Sequence, residues 1–158
     1  MYRTIPTLDD VEYILDNLRE EDLIEATETH KENWRQEIIN ELLKHQNEYI
    51  IAKSKKDKKP VLMAGAFNQD KTMPYSAVVW MLSTPEIAKH QKTFIKEMKK
   101  EIEKYDEKYS LLCNRIYKSN HIAKKWLKLV GFKFINDNEN KDFQIFYRIR
   151  PTKGLERI

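Results

Sequence analysis

Three acids stand close together early in the chain, Glu21, Asp22 and Glu25, where a helical pattern breaks. A carboxylate placed there can take a proton from a reacting group, or it can be one more solvated charge on a helix. His30 offers the same choice. A second set, Lys89, His90 and Lys92, follows Pro85 at the start of a helix. These side chains can bring positive charge to a phosphate, or they can decorate the helix for water. Cys113 falls in an apolar run, where cysteine is more often core filler than nucleophile.

The elements that must position these groups follow from periodicity. Residues 2–5 read as a strand stopped by Pro6. Thr7 or Asp9 caps a helix with Val11, Ile14, Leu15 and Leu18 on one face, and Asp9 with Glu12 has capping-box spacing. The run from Arg19 to Asp22 breaks that face, and Leu23, Ile24 and Thr27 restart a short second helix. A third helical pattern covers 33–45, with Trp34, Ile38, Leu42 and Leu43 inward. Residues 48–53 and 61–67 form a hairpin around the charged turn 54–60, in which Gly65 marks a bulge or a close backbone approach.

The continuous apolar run 75–82 reads as a central strand covered on both faces. A long helix follows Pro85, with Phe94, Ile95, Met98, Ile102 and Tyr105 inward and Lys/Glu pairs outward. Tyr109 to Cys113 is another strand. Asn120 then caps a helix whose apolar residues are Ile122, Ala123, Trp126, Leu127, Leu129 and Val130. Gly131 stops it in the left-handed region, and Phe132 to Ile135 begins a strand. Residues 136–140 turn, Phe143 to Ile149 alternates as a last strand, and the tail from Pro151 reads as loose.

Composition narrows the function classes. The 158 residues are long enough to bury roughly two-thirds of the unfolded surface in one core. Basic residues number 29 and acidic 25, and they alternate along the helices instead of concentrating. The net charge of +4 therefore does not indicate nucleic acid. The first ten residues carry early acids and no apolar run, so they do not read as a signal peptide. No stretch has the length to span a membrane. A single cysteine fits a reducing, cytoplasmic setting.

Strand, helices, hairpin, central strand, helix, strand, helix and two strands make a mixed α/β sandwich with helices on both faces. The pattern Asn120-x-x-Ala123-(x)7-Gly131-Phe132 resembles the fourth helix and sixth strand of the GNAT N-acetyltransferase superfamily. The element order over residues 2–150 is similar to a GNAT domain. The resemblance implies one GNAT-like α/β domain over 1–150, with a mixed, mostly antiparallel central sheet and a loose tail over 151–158. It implies acyl-CoA-dependent N-acetyl transfer, with acetyl-CoA and an unidentified amine acceptor as partners and no metal.

In that reading, backbone amides near Leu82 and Ser83 face the thioester, and Asn114 and Asn120 hold the pantetheine. Lys89 and Lys92 meet phosphate, and the acceptor enters over the break from Arg19 to Glu25, with Glu21, Asp22, Glu25 or a water as base. Two features depart from the superfamily. Its Gln/Arg-x-x-Gly-x-Gly/Ala phosphate loop corresponds here to Pro85–Thr93, which contains no glycine. Its tyrosine seven residues after the asparagine corresponds to Leu127, which has no proton to give. Tyr117 lies before the helix and reads as a packing or surface residue.

A narrower resemblance runs to small GNAT-like proteins of short-tailed phages, a family that includes a minor internal virion protein. It rests on Asp10-Val11 with Asn17-Leu18-Arg19, Asp22 and Glu25, on Trp80-Met81-Leu82-Ser83-Thr84, and on Asn120 to Phe132 with Trp126-Leu127. This implies an alternative, a phage-particle or host-interaction protein that keeps the fold without the chemistry. It would lie in the host cytoplasm or in the virion.

Overall fold

Alternation along the strands and amphipathic spacing along the helices settle this chain into one seven-stranded sheet with helices on both faces. The computed structural model describes residues 1–151, apart from the side chain of His30. The tail expected to be loose falls outside the described residues after Pro151, as does His30 as a candidate base.

The strands are β1 (Tyr2–Thr4), β2 (Tyr49–Lys53), β3 (Pro60–Phe67), β4 (Ser76–Ser83), β5 (Leu111–Tyr117), β6 (Lys133–Asn136) and β7 (Phe143–Ile149). The helices are α1 (Leu8–Asp16), α2 (Glu20–His30), α3 (Trp34–Lys44), α4 (Gln91–Lys108) and α5 (His121–Leu129). Sheet order is β1-β2-β3-β4-β5-β7-β6. Every pairing is antiparallel except β4 with β5. One face carries Ile51 and Met63 against Val11, Ile14 and Leu15 of α1, Ala26 of α2, and Ile38 and Leu42 of α3. The other carries Ala52, Leu62, Leu112 and Phe146 against Phe94 and Ile102 of α4 and Ala123 and Trp126 of α5. No helix among the described residues is long and apolar enough to cross a membrane.

Several local readings change. Thr7 alone caps α1, its hydroxyl accepting from Asp10 N at 3.2 Å, so the Asp9/Glu12 box does not form. The Glu20–Asp22 stretch is the first turn of α2 and not a break, because its acids favour the positive end of a helix. The inward face of α2 is then Asp22 and Ala26, while Leu23 is exposed. Leu43, Ile122 and Leu129 also face solvent, since α3 and α5 each bury a narrower stripe than their apolar content suggests. The helix expected straight after Pro85 opens as a 3-10 segment, Pro85–His90, and becomes α-helical at Gln91. The strand expected from Tyr109 runs two residues later, as β5.

Gly65 is a site of close approach. It pairs with Tyr49, and a Cβ there would lie 2.5 Å from Glu48 O and 2.8 Å from Tyr49 Cβ. Gly131 adopts φ +93°, the left-handed stop expected of it. Gly65→Val should therefore destabilise the protein by about 2 kcal/mol or more, read as a lower urea midpoint at unchanged slope.

Candidate active site

Parallel pairing between β4 and β5 lasts three residues, Ser76–Leu111, Ala77–Leu112 and Val78–Cys113, and then the strands part. Asn114 marks the fork. Its Nδ2 donates to Val79 O at 3.0 Å, so a side chain takes over where the backbone ladder ends. On the other side β4 stays paired with β3 as far as Leu62–Ser83, and Thr84 N donates to Val61 O at 2.8 Å. Antiparallel alternation then turns the N–H and C=O groups of Met81 and Ser83 away from β3, into the split.

A cavity of about 610 Å³ passes through the sheet at this split. Val79 and Met81 line it from one face of β4 and Trp80 and Leu82 from the other, with Asn114 and Ile116 across the gap. This explains why the central strand is only half-buried from Val78 to Leu82, where full cover was expected. The indole Nε1 of Trp80 is buried in this wall without a hydrogen-bond partner.

A polar cluster on the first two turns of α2 ties the parted strand ends together. Asp22, 2% exposed, accepts from Ser83 N at 2.9 Å and from Ser83 Oγ at 2.8 Å. Arg19 donates to both oxygens of the same carboxylate, each at 3.2 Å, and reaches Asn120 Oδ1 at 3.3 Å. Backbone N–H of Arg19 donates to Ser83 O at 3.0 Å, and the guanidinium lies 5.7 Å from the centre of the Trp126 ring. Asn120 Oδ1 also caps α5, accepting from Ala123 N at 3.4 Å.

Glu25, one turn along α2, accepts from Asn120 Nδ2 at 2.9 Å and from Tyr117 N at 3.0 Å, both on Oε1. Oε2 has no hydrogen-bond partner among the described residues, and Glu25 lines the cavity. Burial pushes the Glu25 carboxyl up to about 7, and the charge of Asp22 adds to the rise. The hydrogen bonds from Asn120 and Tyr117 and the Arg19 charge pull the other way. A carboxylate that changes charge near neutrality is well matched to taking a proton from a reacting group.

The sequence candidates thus separate. Asp22, Glu25, Ser83 and Asn120 converge in one cluster, and Leu82 and Asn114 line the cavity. The Ser83 amide and hydroxyl are both taken by Asp22, and Asp22 itself is fully engaged. Glu21 lies in the first turn of α2, outside the cavity lining. Lys89 and Lys92 are exposed outside that lining, Lys89 beside Glu86 at 3.5 Å. Burial raises the Cys113 thiol, which suits packing better than nucleophilic attack. Leu127 lines the cavity and brings no polar atom to it.

Arg19, Trp80 and Met81 went unassigned from sequence. The i, i+3 spacing of Arg19 and Asp22 was the one local signal for the first. Nothing local distinguishes Met81 from its neighbours.

No family model and no curated protein matches the chain. Solved structures match its fold. A ribosomal-protein-alanine N-acetyltransferase from Brucella melitensis superposes with a TM-score of 0.66 at 15% identity, covering 94% of this chain and 99% of that one. The PaiA N-acetyltransferase from Thermoplasma acidophilum, in complex with coenzyme A, gives 0.64 at 15% identity over 94% and 98%. A GNAT-family acetyltransferase from Streptococcus agalactiae gives 0.65 at 10% identity over 96% of each chain. The fold is GNAT-like.

Glu25 links stability to pH. Its folded value lies above the ordinary 4.5, so its contribution is fully present below 4.5 and is lost as pH rises through about 7. Glu25→Gln keeps the Oε1 acceptor and removes the charge. Its stability relative to the parent should rise by about 2–3 kcal/mol between pH 4.5 and pH 8. Urea unfolding at the two pH values measures this.

Proposed function

We propose that the chain is an acyl-CoA-dependent N-acetyltransferase with Glu25 as general base. The observation that carries this reading is a carboxylate with a near-neutral pKa and one oxygen that no described residue engages, set in the wall of a cavity at the split in the sheet. The similar folds of N-acetyltransferases, one of them in complex with coenzyme A, support it.

The donor supplies the acyl group as a thioester, and the chain's residues bind, orient and take up a proton. Met81 N–H, turned into the split, is the backbone donor for the carbonyl oxygen, one residue before the pair expected from sequence. Glu25 Oε2 accepts a proton from the attacking amine as the new C–N bond forms and the C–S bond breaks. No side chain need protonate sulfur. An ordinary thiol has a pKa of about 8.5, so the thiolate can leave near neutrality, and Leu127 in place of tyrosine is compatible with turnover. Without glycines in 85–93 to admit phosphate to the backbone, Lys89 and Lys92 provide charge from their side chains.

The fold-retaining virion or host-interaction protein is the competing reading, and ligand binding separates the two. Acetyl-CoA at a hundred times its dissociation constant should stabilise the protein by about 2.7 kcal/mol, roughly a 5–10 °C rise in Tm. Adenosine bisphosphate alone should give less. Thiol release with an amine acceptor should follow an ionisation near pH 7, and Glu25→Gln should lower kcat/KM about a hundredfold and abolish that ionisation. Absence of any shift with acetyl-CoA would remove the enzyme reading in favour of its rival.

A further inference from the structure

We propose that a second copy of this chain docks on the outer face of α5 through the outer face of its own α1, the two short helices packing antiparallel.

Charge is segregated along this chain. Residues 108–136 carry seven of the 29 lysines and arginines and none of the 25 acids. Residues 1–48 carry thirteen of the acids and five of the basic residues. The alternation of cations and acids expected from the sequence therefore holds along α4 and fails on α5 and α1. These two helices lie on opposite faces of the sheet, α5 beside α4 and α1 beside α2 and α3. One copy cannot bring them together, and two copies can.

On α5, His121, Lys124, Lys125 and Lys128 follow i, i+3, i+4, i+7 spacing, which puts them on one side of the helix. With Leu129 they line one surface cavity of about 350 Å³. Among the described residues no carboxylate forms an ion pair with any of the four. Lys124 and Lys128 lie 5.7 Å from the centre of the Phe134 ring. On α1, Asp9, Glu12 and Asp16 follow i, i+3, i+7 spacing and all are exposed. Asp16 pairs with Arg35 at 2.7 Å, and Asp9 and Glu12 have no basic partner among the described residues. Leu8 and Leu129, each 54% exposed, stand at the ends of the two stripes.

Both helices have nine residues, so the stripes match in length. Laid antiparallel, they set Leu8 against Leu129, Asp9 against Lys128, Glu12 against Lys125 and Asp16 against His121. The orientation follows from the helix dipoles. Asp16 lies at the C-terminal end of α1, and His121 and Lys124 lie in the first turn of α5. Each is the wrong end of the dipole for its charge and is unfavourable within one copy. In the antiparallel pair these misplaced charges meet, and the dipoles oppose. Ile122, 47% exposed, and Leu129 flank the cations and suit a protein surface, whereas nucleic-acid phosphates offer them nothing apolar.

The two surfaces differ, so the contact is heterologous and each copy can bind two neighbours. Nine residues of helix span about 13 Å, which places the contact at the small, transient end of protein interfaces. Association is therefore weak and rises with concentration. None of Asp9, Glu12, Lys125 and Lys128 lines the cavity at the split, so this surface is separate from the proposed acetyl-transfer site.

Sedimentation equilibrium of the full chain between about 10 μM and about 1 mM tests this. The weight-average mass should rise with concentration, and the association constant should fall at least about tenfold between about 20 mM and about 500 mM salt. Lys125→Glu with Lys128→Glu should stay monomeric, as should Asp9→Lys with Glu12→Lys. An equimolar mixture of the two double variants should associate again, a gain that damage to either fold cannot produce. All four side chains are exposed, so both variants should melt within a few degrees of the parent.

A parent that is monomeric throughout at low salt would overturn the proposal. Association that survives either double variant, or a mixture that stays monomeric, would also overturn it. A monomeric parent that binds a DNA duplex, with binding lost in Lys125→Glu with Lys128→Glu, would replace the second copy with a foreign polyanion.

Discussion

The Asp22 carboxylate is the interaction on which the rest of this molecule depends. A sheet that forks leaves backbone N–H and C=O groups without strand partners, and buried groups of that kind are costly. Ser83 meets this problem at the end of β4, and its amide and hydroxyl both end on Asp22. The charge so buried needs its own partner, which Arg19 provides with a two-pronged contact. Arg19 then reaches Asn120 across the fork, and Asn120 passes the connection to Glu25 and the start of α5. Removing one member of a buried ion pair costs about 3–5 kcal/mol, far more than the pair adds over apolar packing. The cluster is better understood as a device for holding two strand ends apart at a fixed spacing than as a source of net stability.

That arrangement also divides the work among the acids. Asp22 and Glu25 sit three residues apart on one helix and both face inward, yet their surroundings differ. Asp22 is saturated with donors, including a guanidinium. Glu25 has two neutral donors on one oxygen, a nearby negative charge and little water, so its carboxyl titrates near neutrality. Neighbours, and not residue type, set the difference between the two carboxyls.

Much of the fold was legible from local signals. Asn120, Gly131 and the stripe Ala123, Trp126 and Val130 define α5 within residues 120–131, and the structure agrees. The errors were of facing. Ile122 and Leu129 are apolar but lie off the stripe, and periodicity alone does not say how wide a partner surface is. The acids at 21–25 were found as a group, but their ranking was not legible. It depends on Asn120, 95 residues from Glu25, and on Arg19 meeting Asn120 across 101 residues. The fork itself leaves no mark in the sequence, because strand register is decided by tertiary packing and not by the residues of either strand.

The short parallel contact has a mechanical consequence. The sheet is two antiparallel ladders, β1 to β4 and β5 with β7 and β6, stitched by three residue pairs at one end. At the other end the two ladders are joined only through side chains, from Ser83 through Asp22 and Arg19 to Asn120. The opening is thus framed on all sides, by backbone pairs at one end and by a hydrogen-bonded ion pair at the other. The chain thereby carries a window within its sheet whose outline is fixed without any strand pairing across it.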